Sequence, residues 1–94
     1  MMRFSVLYPV TEGATFDHDY YRTKHVPFCS ETWKPARVEI DRGVNGPYVA
    51  AVHFFFDSAD ALQAALGSEG TAAITADVAN YTQIEPVVQI SETT

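Results

Sequence analysis

The chain has 94 residues, with six lysines and arginines against twelve aspartates and glutamates, so its net charge is −6. A protein that binds nucleic acid or an anionic membrane needs a basic surface, so this balance argues against both classes. Apolar residues make up 47% of the chain, which excludes a disordered protein. The sequence contains no repeat, linker or low-complexity tract, and we predict a single small domain over residues 1–94.

The sequence also bears on where the protein works. Cys29 is the only cysteine, which rules out a disulfide within the chain. The first ten residues lack the unbroken apolar segment of a signal peptide. The longest apolar run, Tyr48 to Phe56, is too short to cross a membrane. We therefore expect a cytoplasmic protein.

The first third of the chain predicts a strand followed by an interrupted helix. Residues 3–8 alternate between two faces, as a strand requires. Asp17 is placed to cap a helix over residues 18–25. Pro27 lacks an N–H group, so we expect a kink or restart there before a second helical piece that ends near Trp33.

The remainder of the chain predicts three strands and two helices. In chain order they are a half-exposed strand over residues 37–41, a strand over 48–56, a helix from the Ser58 cap to Leu66, a helix over 69–79 and a strand over 82–91. A glycine- and proline-containing turn over residues 42–47 separates the first two strands.

The predicted order, β-α-β-β-α-β, is that of the ferredoxin-like unit, an α+β fold in which helices cover one face of a four-stranded antiparallel sheet. The strand over residues 48–56 is apolar on both of its faces, so both faces of the sheet need cover. The helical segments cover only one of them. We therefore predict that a second copy of the chain packs on the open face and forms a symmetric homodimer.

A family resemblance begins in the segment from Phe16 to Phe28. This segment contains an aromatic-Asp pair, the pair Tyr20-Tyr21 and a His-x-Pro motif at residues 25–27. Further matching residues follow in order, at Trp33, Pro47 to Ala50, Phe56 to Ser58, Asn80 to Thr82, Ile84, Pro86 and Val88 to Ile90. In these residues the sequence resembles the EthD family over essentially its whole length.

The resemblance implies a dimeric α+β barrel, in which two ferredoxin-like subunits pack sheet to sheet. The EthD family is named for a protein linked to bacterial degradation of ethyl tert-butyl ether, and it carries a loose oxidoreductase label. The wider superfamily includes cofactor-free monooxygenases, haem-handling enzymes, lactone isomerases and polyketide cyclases. The fold alone therefore does not identify the reaction.

Three residues are candidates for catalysis. His25, beside Pro27 at a helix end, is suited to act as a general acid or base near neutral pH, or else as a cation that satisfies the last carbonyls of the helix. Asp77 flanks an apolar stripe and is either a partner for His25 or a solvated carboxylate. Tyr21 lies four residues before His25 and either positions a ligand or packs against Phe16 as a hydrophobic staple.

The candidate substrate-binding residues are mostly aromatic. Tyr20 and Tyr81 each offer an apolar ring and a hydroxyl that can orient a ligand. Trp33 and Phe28 lie in the segments that carry the resemblance. His53 either faces a ligand or is buried and bonded to a polar neighbour, and the second interpretation is favoured because buried polar groups are usually paired.

We predict no cofactor and no metal site. The histidines show no metal-ligand spacing, and the sequence has no phosphate-binding loop or dinucleotide fingerprint. Cys29 is expected to be a small buried hydrophobe. Haem ligation by His25 or His53 is implied only by analogy with the superfamily.

Three alternative functions follow. The first is an EthD-type enzyme, loosely an oxidoreductase, that acts on a hydrophobic small molecule in a pocket between helices and sheet, with His25 transferring a proton. The second is a non-catalytic carrier that holds a hydrophobic metabolite for a partner oxygenase, and a third alternative is a structural barrel with a collapsed cavity. A histidine and a carboxylate that converge on one cavity would favour the enzyme, because a binder needs only an apolar cavity.

Overall fold

The computed structural model describes every residue from Met1 to Thr94. Its elements are β1 (Met2–Pro9), α1 (His18–Tyr20), a π-helical turn (Tyr21–His25), α2 (Val26–Trp33), β2 (Arg37–Arg42), β3 (Tyr48–Phe56), α3 (Ala59–Leu66), α4 (Thr71–Asp77), a 3₁₀ turn (Val78–Asn80) and β4 (Val87–Glu92). None of the helices combines the length and the apolar character needed to span a lipid bilayer.

The four strands form one antiparallel sheet in the order β2-β3-β1-β4. The two central strands, β1 and β3, are joined over eight register positions, from Met2 opposite Phe56 to Pro9 opposite Tyr48. The helices pack on one face of this sheet. The predicted ferredoxin-like α+β architecture is confirmed.

The core lies between the sheet and the helices. Aromatic rings dominate it, and the ring of Trp33 on α2 meets Phe4 at a centroid distance of 5.8 Å and Phe54 at 5.2 Å, both edge-on. Such edge-to-face pairs add about 0.5–1.5 kcal/mol each beyond the burial of their surface. Leu62 and Ile74 bring α3 and α4 into the same cluster.

The first helix differs from its prediction, because no break occurs at Pro27. One helical run continues through α1 and α2 and widens at Tyr21–His25, where the N–H of Val26 donates to the carbonyl of Tyr21 five residues earlier. Proline has no N–H to donate, and its ring collides with the carbonyl four residues back in a regular α-helix. A π-helical turn just before Pro27 relieves both conflicts and keeps the helix in one piece.

Both predicted helix caps are present. The carboxylate of Asp17 accepts a hydrogen bond from the N–H of Tyr20 at 3.0 Å, and the hydroxyl of Ser58 accepts one from the N–H of Ala61 at 3.1 Å. Each cap satisfies one of the backbone donors that the first turn of a helix leaves unpaired.

The last helix and the last strand are shorter than predicted. The helix begins at Thr71 and ends in the 3₁₀ turn, and β4 begins at Val87. Before β4, only Thr82 forms an isolated bridge, which it makes with Phe16. Pro86 cannot donate to a strand ladder, which explains why regular pairing starts after it.

The second face of the sheet has no helix over it. Side chains on this open face include Ser5, Leu7, Ala51, His53, Phe55 and Val87. The guanidinium of Arg37 lies 4.1 Å from the centre of the Phe55 ring and covers it. Val87 remains 48% exposed.

Candidate functional site

A cavity of about 230 Å³ lies between the sheet and the helices. Its wall is mainly apolar, with Phe4, Val52 and Phe54 from the sheet and Trp33 and Ile74 from the helices. An apolar cavity of about 150 Å³ is large enough for benzene. The cavity therefore has room for a single substituted ring.

His25 and Asp77 meet beside this cavity, although 52 positions separate them in the chain. Nδ1 of His25 lies 2.8 Å from Oδ2 of Asp77. The imidazole lines the cavity, whereas the carboxylate does not. The two side chains are 6% and 16% exposed, so the pair is largely removed from water.

Three donors surround the carboxylate of Asp77. The hydroxyl of Tyr20 and the side-chain amide of Asn80 each donate to Oδ1 at 2.8 Å, and His25 is bonded to Oδ2. Burial by itself raises the pKa of Asp77, but these hydrogen bonds outweigh it and hold that pKa below its ordinary value. Asp77 is therefore ionised at neutral pH.

The charge of Asp77 determines which nitrogen of His25 carries the proton. An ionised carboxylate only accepts, so the neutral imidazole donates Nδ1–H to Asp77 and keeps a lone pair on Nε2. Burial lowers the pKa of His25 below 6.5, although the hydrogen bond to Asp77 opposes the shift. Nε2 has no hydrogen-bond partner in the protein. This is the arrangement of a general base that is neutral at neutral pH.

The rings of Tyr8, Tyr21 and Tyr81 pack against one another, and two of them also contact the imidazole of His25. Tyr21 stacks on His25 with ring centroids 5.5 Å apart, and Tyr81 lies 4.6 Å from it. The hydroxyls of Tyr8 and Tyr81 share a hydrogen bond of 2.6 Å, whereas the buried hydroxyl of Tyr21 has no partner. Burial raises the pKa of all three phenols, so each stays protonated.

The structure brings most of the predicted site residues together. They are His25, Asp77, Tyr20, Tyr21 and Tyr81 in one cluster, with Trp33 on the cavity wall. The hypothesised pairing of His25 with Asp77 is present, and the staple contact of Tyr21 with Phe16 is present as well, at 5.0 Å between ring centroids. The catalytic and binding roles of these residues stay predictions.

Two predicted substrate-binding residues lie elsewhere. Phe28 packs against the edge of the core and does not line the cavity. His53 is on the open face of the sheet, where Nδ1 is 2.7 Å from the hydroxyl of Ser5 and Nε2 is 3.0 Å from Oδ2 of Asp41. The favoured interpretation of His53 was a buried histidine bonded to a polar neighbour; the polar neighbours are present, but the ring is half-buried.

Sequence reasoning missed two residues of the cluster. Tyr8 is on the helix-facing side of β1 and bonds to Tyr81. Asn80 follows Asp77 by three residues and bonds to its carboxylate. The spacing of Asn80 was a usable signal, since residues three apart on a helical turn are neighbours.

The residues present also decide which cofactors fit. No group of three or more His, Cys, Asp or Glu side chains is placed to hold a metal ion. Cys29 lines the cavity, but burial raises the pKa of its thiol to about 12, so it is not a nucleophile at neutral pH. Haem does not fit this cavity, because about 230 Å³ is room for a single substituted ring and not for the four rings of a porphyrin.

Comparison with known proteins identifies the family. No protein-family model and no curated protein sequence matches the chain. Among solved structures, an EthD-like protein from Ralstonia eutropha JMP134 is 40% identical, with a TM-score of 0.89 over 97% of this chain and 89% of that chain. The chain belongs to the EthD-like family. The family resemblance of the sequence is thereby confirmed.

Two more distant structures share the fold of this EthD-like chain. An ethyl tert-butyl ether (EthD) family protein from Bacillus halodurans C-125 is 18% identical, with a TM-score of 0.76 over 100% of this chain and 99% of that chain. A dimeric protein of unknown function and ferredoxin-like fold from Bacteroides fragilis NCTC 9343 is 12% identical, with a TM-score of 0.62 over 98% and 95%.

Proposed function

We propose that this EthD-like protein is an enzyme that moves a proton from or to a hydrophobic small molecule in the cavity between its helices and sheet. The observation that carries the proposal is the part-buried pair of His25 and Asp77, 2.8 Å apart, whose imidazole lines a mainly apolar cavity. A carrier needs only the apolar cavity. An oriented, neutral imidazole on its wall is what proton transfer requires.

Each residue of the cluster has a role in the proposed step. Nε2 of His25 takes the proton, and Asp77 fixes the tautomer and stabilises the imidazolium that forms. Tyr21 acts as a positioning residue, because its ring stacks on the imidazole of His25. Tyr20 and Asn80 act as positioning residues because they hold the carboxylate of Asp77.

The proposed step is common to several reactions. Oxygenation, isomerisation and cyclisation of a ketone-like or phenol-like molecule each begin with the loss of a proton. An oxidoreductase activity follows only where dioxygen, as the oxidant, reacts with the deprotonated molecule, whereas a cofactor-free isomerase or cyclase needs no oxidant. The alternative, a carrier for a partner oxygenase, is supported by the apolar wall of the cavity.

Exchange of solvent deuterium into the benzylic carbon of phenylacetone tests the proposal. The protein removes a proton and returns a deuteron from solvent, so we expect it to accelerate exchange over buffer alone. His25→Gln should lower this acceleration by about 10²–10⁴-fold, which is the usual contribution of a general base. NMR spectroscopy follows the loss of the methylene signal.

The matched control is His18→Gln, which removes the histidine at the start of α1, outside the cavity wall. This variant should keep the full rate. Wild-type exchange in a folded His25→Gln variant would contradict the proposal. Binding of phenylacetone without any acceleration would favour the carrier.

We further propose that two copies of the chain pair through the open face of the sheet. The proposal is supported by the apolar side chains on that face, including Val87 at 48% exposure. A protein with the same fold is described as dimeric. The cytoplasmic location stays a prediction from sequence.

A further inference from the structure

The cavity beside His25 opens to solvent on one side. Most residues on its wall are buried, but Thr75 is exposed and Val88 is 53% exposed. Thr75 belongs to α4, and Val88 lies at the start of β4. The cavity therefore has a mouth between α4 and the start of β4, through which part of a bound molecule can project.

A shallow groove continues from this mouth along the surface. Thr75, Val78 and Pro86 line both the cavity and the groove. The groove runs between α4 with its 3₁₀ turn on one side and residues 82–86 on the other, and its surface is mainly apolar. The cavity and the groove thus form one continuous, mainly apolar path from His25 to the surface.

The hydroxyls along this groove already have partners within the protein. The hydroxyl of Thr75 donates to the carbonyl of Thr71 at 3.1 Å, and that of Thr82 donates to the carbonyl of Thr15 at 2.7 Å. A hydrocarbon chain that covers the groove leaves these hydrogen bonds intact, so it does not incur the cost of an unpaired polar group. The methylenes of such a chain are stabilised by leaving water.

The charges along the path restrict the ligand further. No lysine or arginine lines either the cavity or the groove. Glu85 is the only charged residue of the groove, and it makes no ion pair. A carboxylate or phosphate at the outer end of a ligand would lie near Glu85 with no cation to offset the repulsion.

We infer that the ligand is an elongated molecule, with an uncharged ring in the cavity and an apolar tail that leaves through the mouth, lies in the groove and carries no negative charge at its outer end. The inference rests on the proposed function, because it takes the ligand to be the molecule held beside His25. It adds the shape and the charge of that ligand.

A series of phenylalkanols tests the tail by calorimetry at neutral pH. Phenylethanol, phenylbutanol and phenylhexanol carry the hydroxyl at the far end of the chain and differ only in the number of methylenes. A fully buried methylene strengthens binding about fourfold and one on an open groove about twofold, so we expect a gain of about tenfold over the series. No gain would overturn the inference, and it is the expected result if a second copy of the chain covers the groove.

A substitution in the groove tests where the tail lies. Ala76 is exposed and lines the groove but not the cavity. Ala76→Asp places a carboxylate beside the tail, so it should weaken phenylhexanol binding at least about threefold and leave phenylethanol binding unchanged. Ala73→Asp, at an exposed position of the same helix outside the cavity and the groove, is the matched control and should change neither. Wild-type affinity of Ala76→Asp for phenylhexanol would overturn the inference.

A change of charge tests the outer end of the tail. The wild-type protein should bind phenylhexylamine about 2–5-fold more tightly than phenylhexanoate, which is the usual effect of one exposed charge pair, and Glu85→Lys should reverse this order. Glu31→Lys makes the same change of net charge at an exposed position on α2, outside the groove, and should keep the wild-type order. Tighter binding of phenylhexanoate to the wild-type protein would overturn the charge assigned to the ligand.

These binding measurements need no turnover, so failure of the inference and failure of the proposed function are distinguishable. Wild-type exchange in His25→Gln together with the expected gain from the tail contradicts the proposed function and supports the shape of the ligand. Loss of exchange in His25→Gln without any gain from the tail contradicts the inference and supports the proposed function.

Discussion

At the residue scale, the pair of His25 and Asp77 combines two opposing effects on one imidazole. Burial disfavours the charged form of His25, and the carboxylate at 2.8 Å favours it. Burial is the larger effect, so the pKa of His25 lies below 6.5. A base of this kind is neutral at neutral pH and ready to accept a proton.

The balance at His25 leads to a first prediction. Asp77→Asn removes the charge that raises the pKa of His25, so that pKa should fall further below its wild-type value. NMR titration of the imidazole Cε1–H signals measures both values. A wild-type pKa above 6.5, or a rise on substitution, would show that the electrostatic account of the pair is wrong.

The unpaired hydroxyl of Tyr21 leads to a second prediction. Tyr21→Phe removes a buried group that has no partner, so stability should stay the same or rise by up to about 1 kcal/mol. Tyr81→Phe is the matched comparison, because it leaves the hydroxyl of Tyr8 without its partner and should cost about 1–3 kcal/mol. Urea unfolding measures both changes. A clear loss of stability in Tyr21→Phe would mean that its hydroxyl has a partner after all.

At the element scale, the π-helical turn over Tyr21–His25 positions the site. Its wider spacing lets two successive tyrosines reach one cluster, with Tyr21 stacked on His25 and Tyr20 bonded to Asp77. Tyr20 and His25, which both bond to Asp77, are five residues apart. In a regular α-helix, residues at this spacing point in different directions. The π-helical turn thus accommodates Pro27 in the helix and also positions the side chains of the site.

Deletion of Lys24 from this turn tests its role. One residue fewer restores α-helical spacing and rotates the preceding helix by about 100° relative to His25. We expect far-UV circular dichroism to show a retained helix, and we expect phenylacetone exchange to fall to the buffer rate. Lys24→Ala, a change at an exposed position, should leave both unaffected. Full exchange in a folded deletion variant would show that the turn does not position the site.

The elements also show what the sequence could predict. Asp17, Ser58 and the strand over residues 48–56 were predictable, because capping and alternation are local properties. The effect of Pro27 was predicted wrongly. The sequence shows that proline cannot fit a regular α-helix at this position, but only the packing determines whether the helix kinks or widens. The partners of His53 depended on the register of three strands, which no local pattern specifies.

At the scale of the whole molecule, the order of elements predicted the topology, and the topology produced the site. His25 and Asp77 come together because α2, which follows directly after His25, packs against α4, which ends at Asp77. The residue types suggested this pair, but only the tertiary structure supplies the distance. The open face of the sheet likewise becomes visible only when all four strands are assembled.

The open face of the sheet leads to a prediction about the oligomeric state. Sedimentation at micromolar concentration should show a dimer for the wild-type chain. Val87→Asp places a charge on the open face and should shift the equilibrium to monomer, whereas Val44→Asp, at a loop position that is 95% exposed, should not. A wild-type chain that sediments as a stable monomer would contradict the proposed dimer.

The central claim, that His25 works as a neutral base in this cavity, is tested most directly by the pH dependence of phenylacetone exchange after subtraction of the buffer rate. The account predicts a rate that rises with pH through one ionisation below 6.5 and is level at neutral pH, because only unprotonated His25 accepts a proton. His25→Gln should remove this ionisation. A rate that falls as the pH rises through this range, or the same profile in His25→Gln, would contradict it.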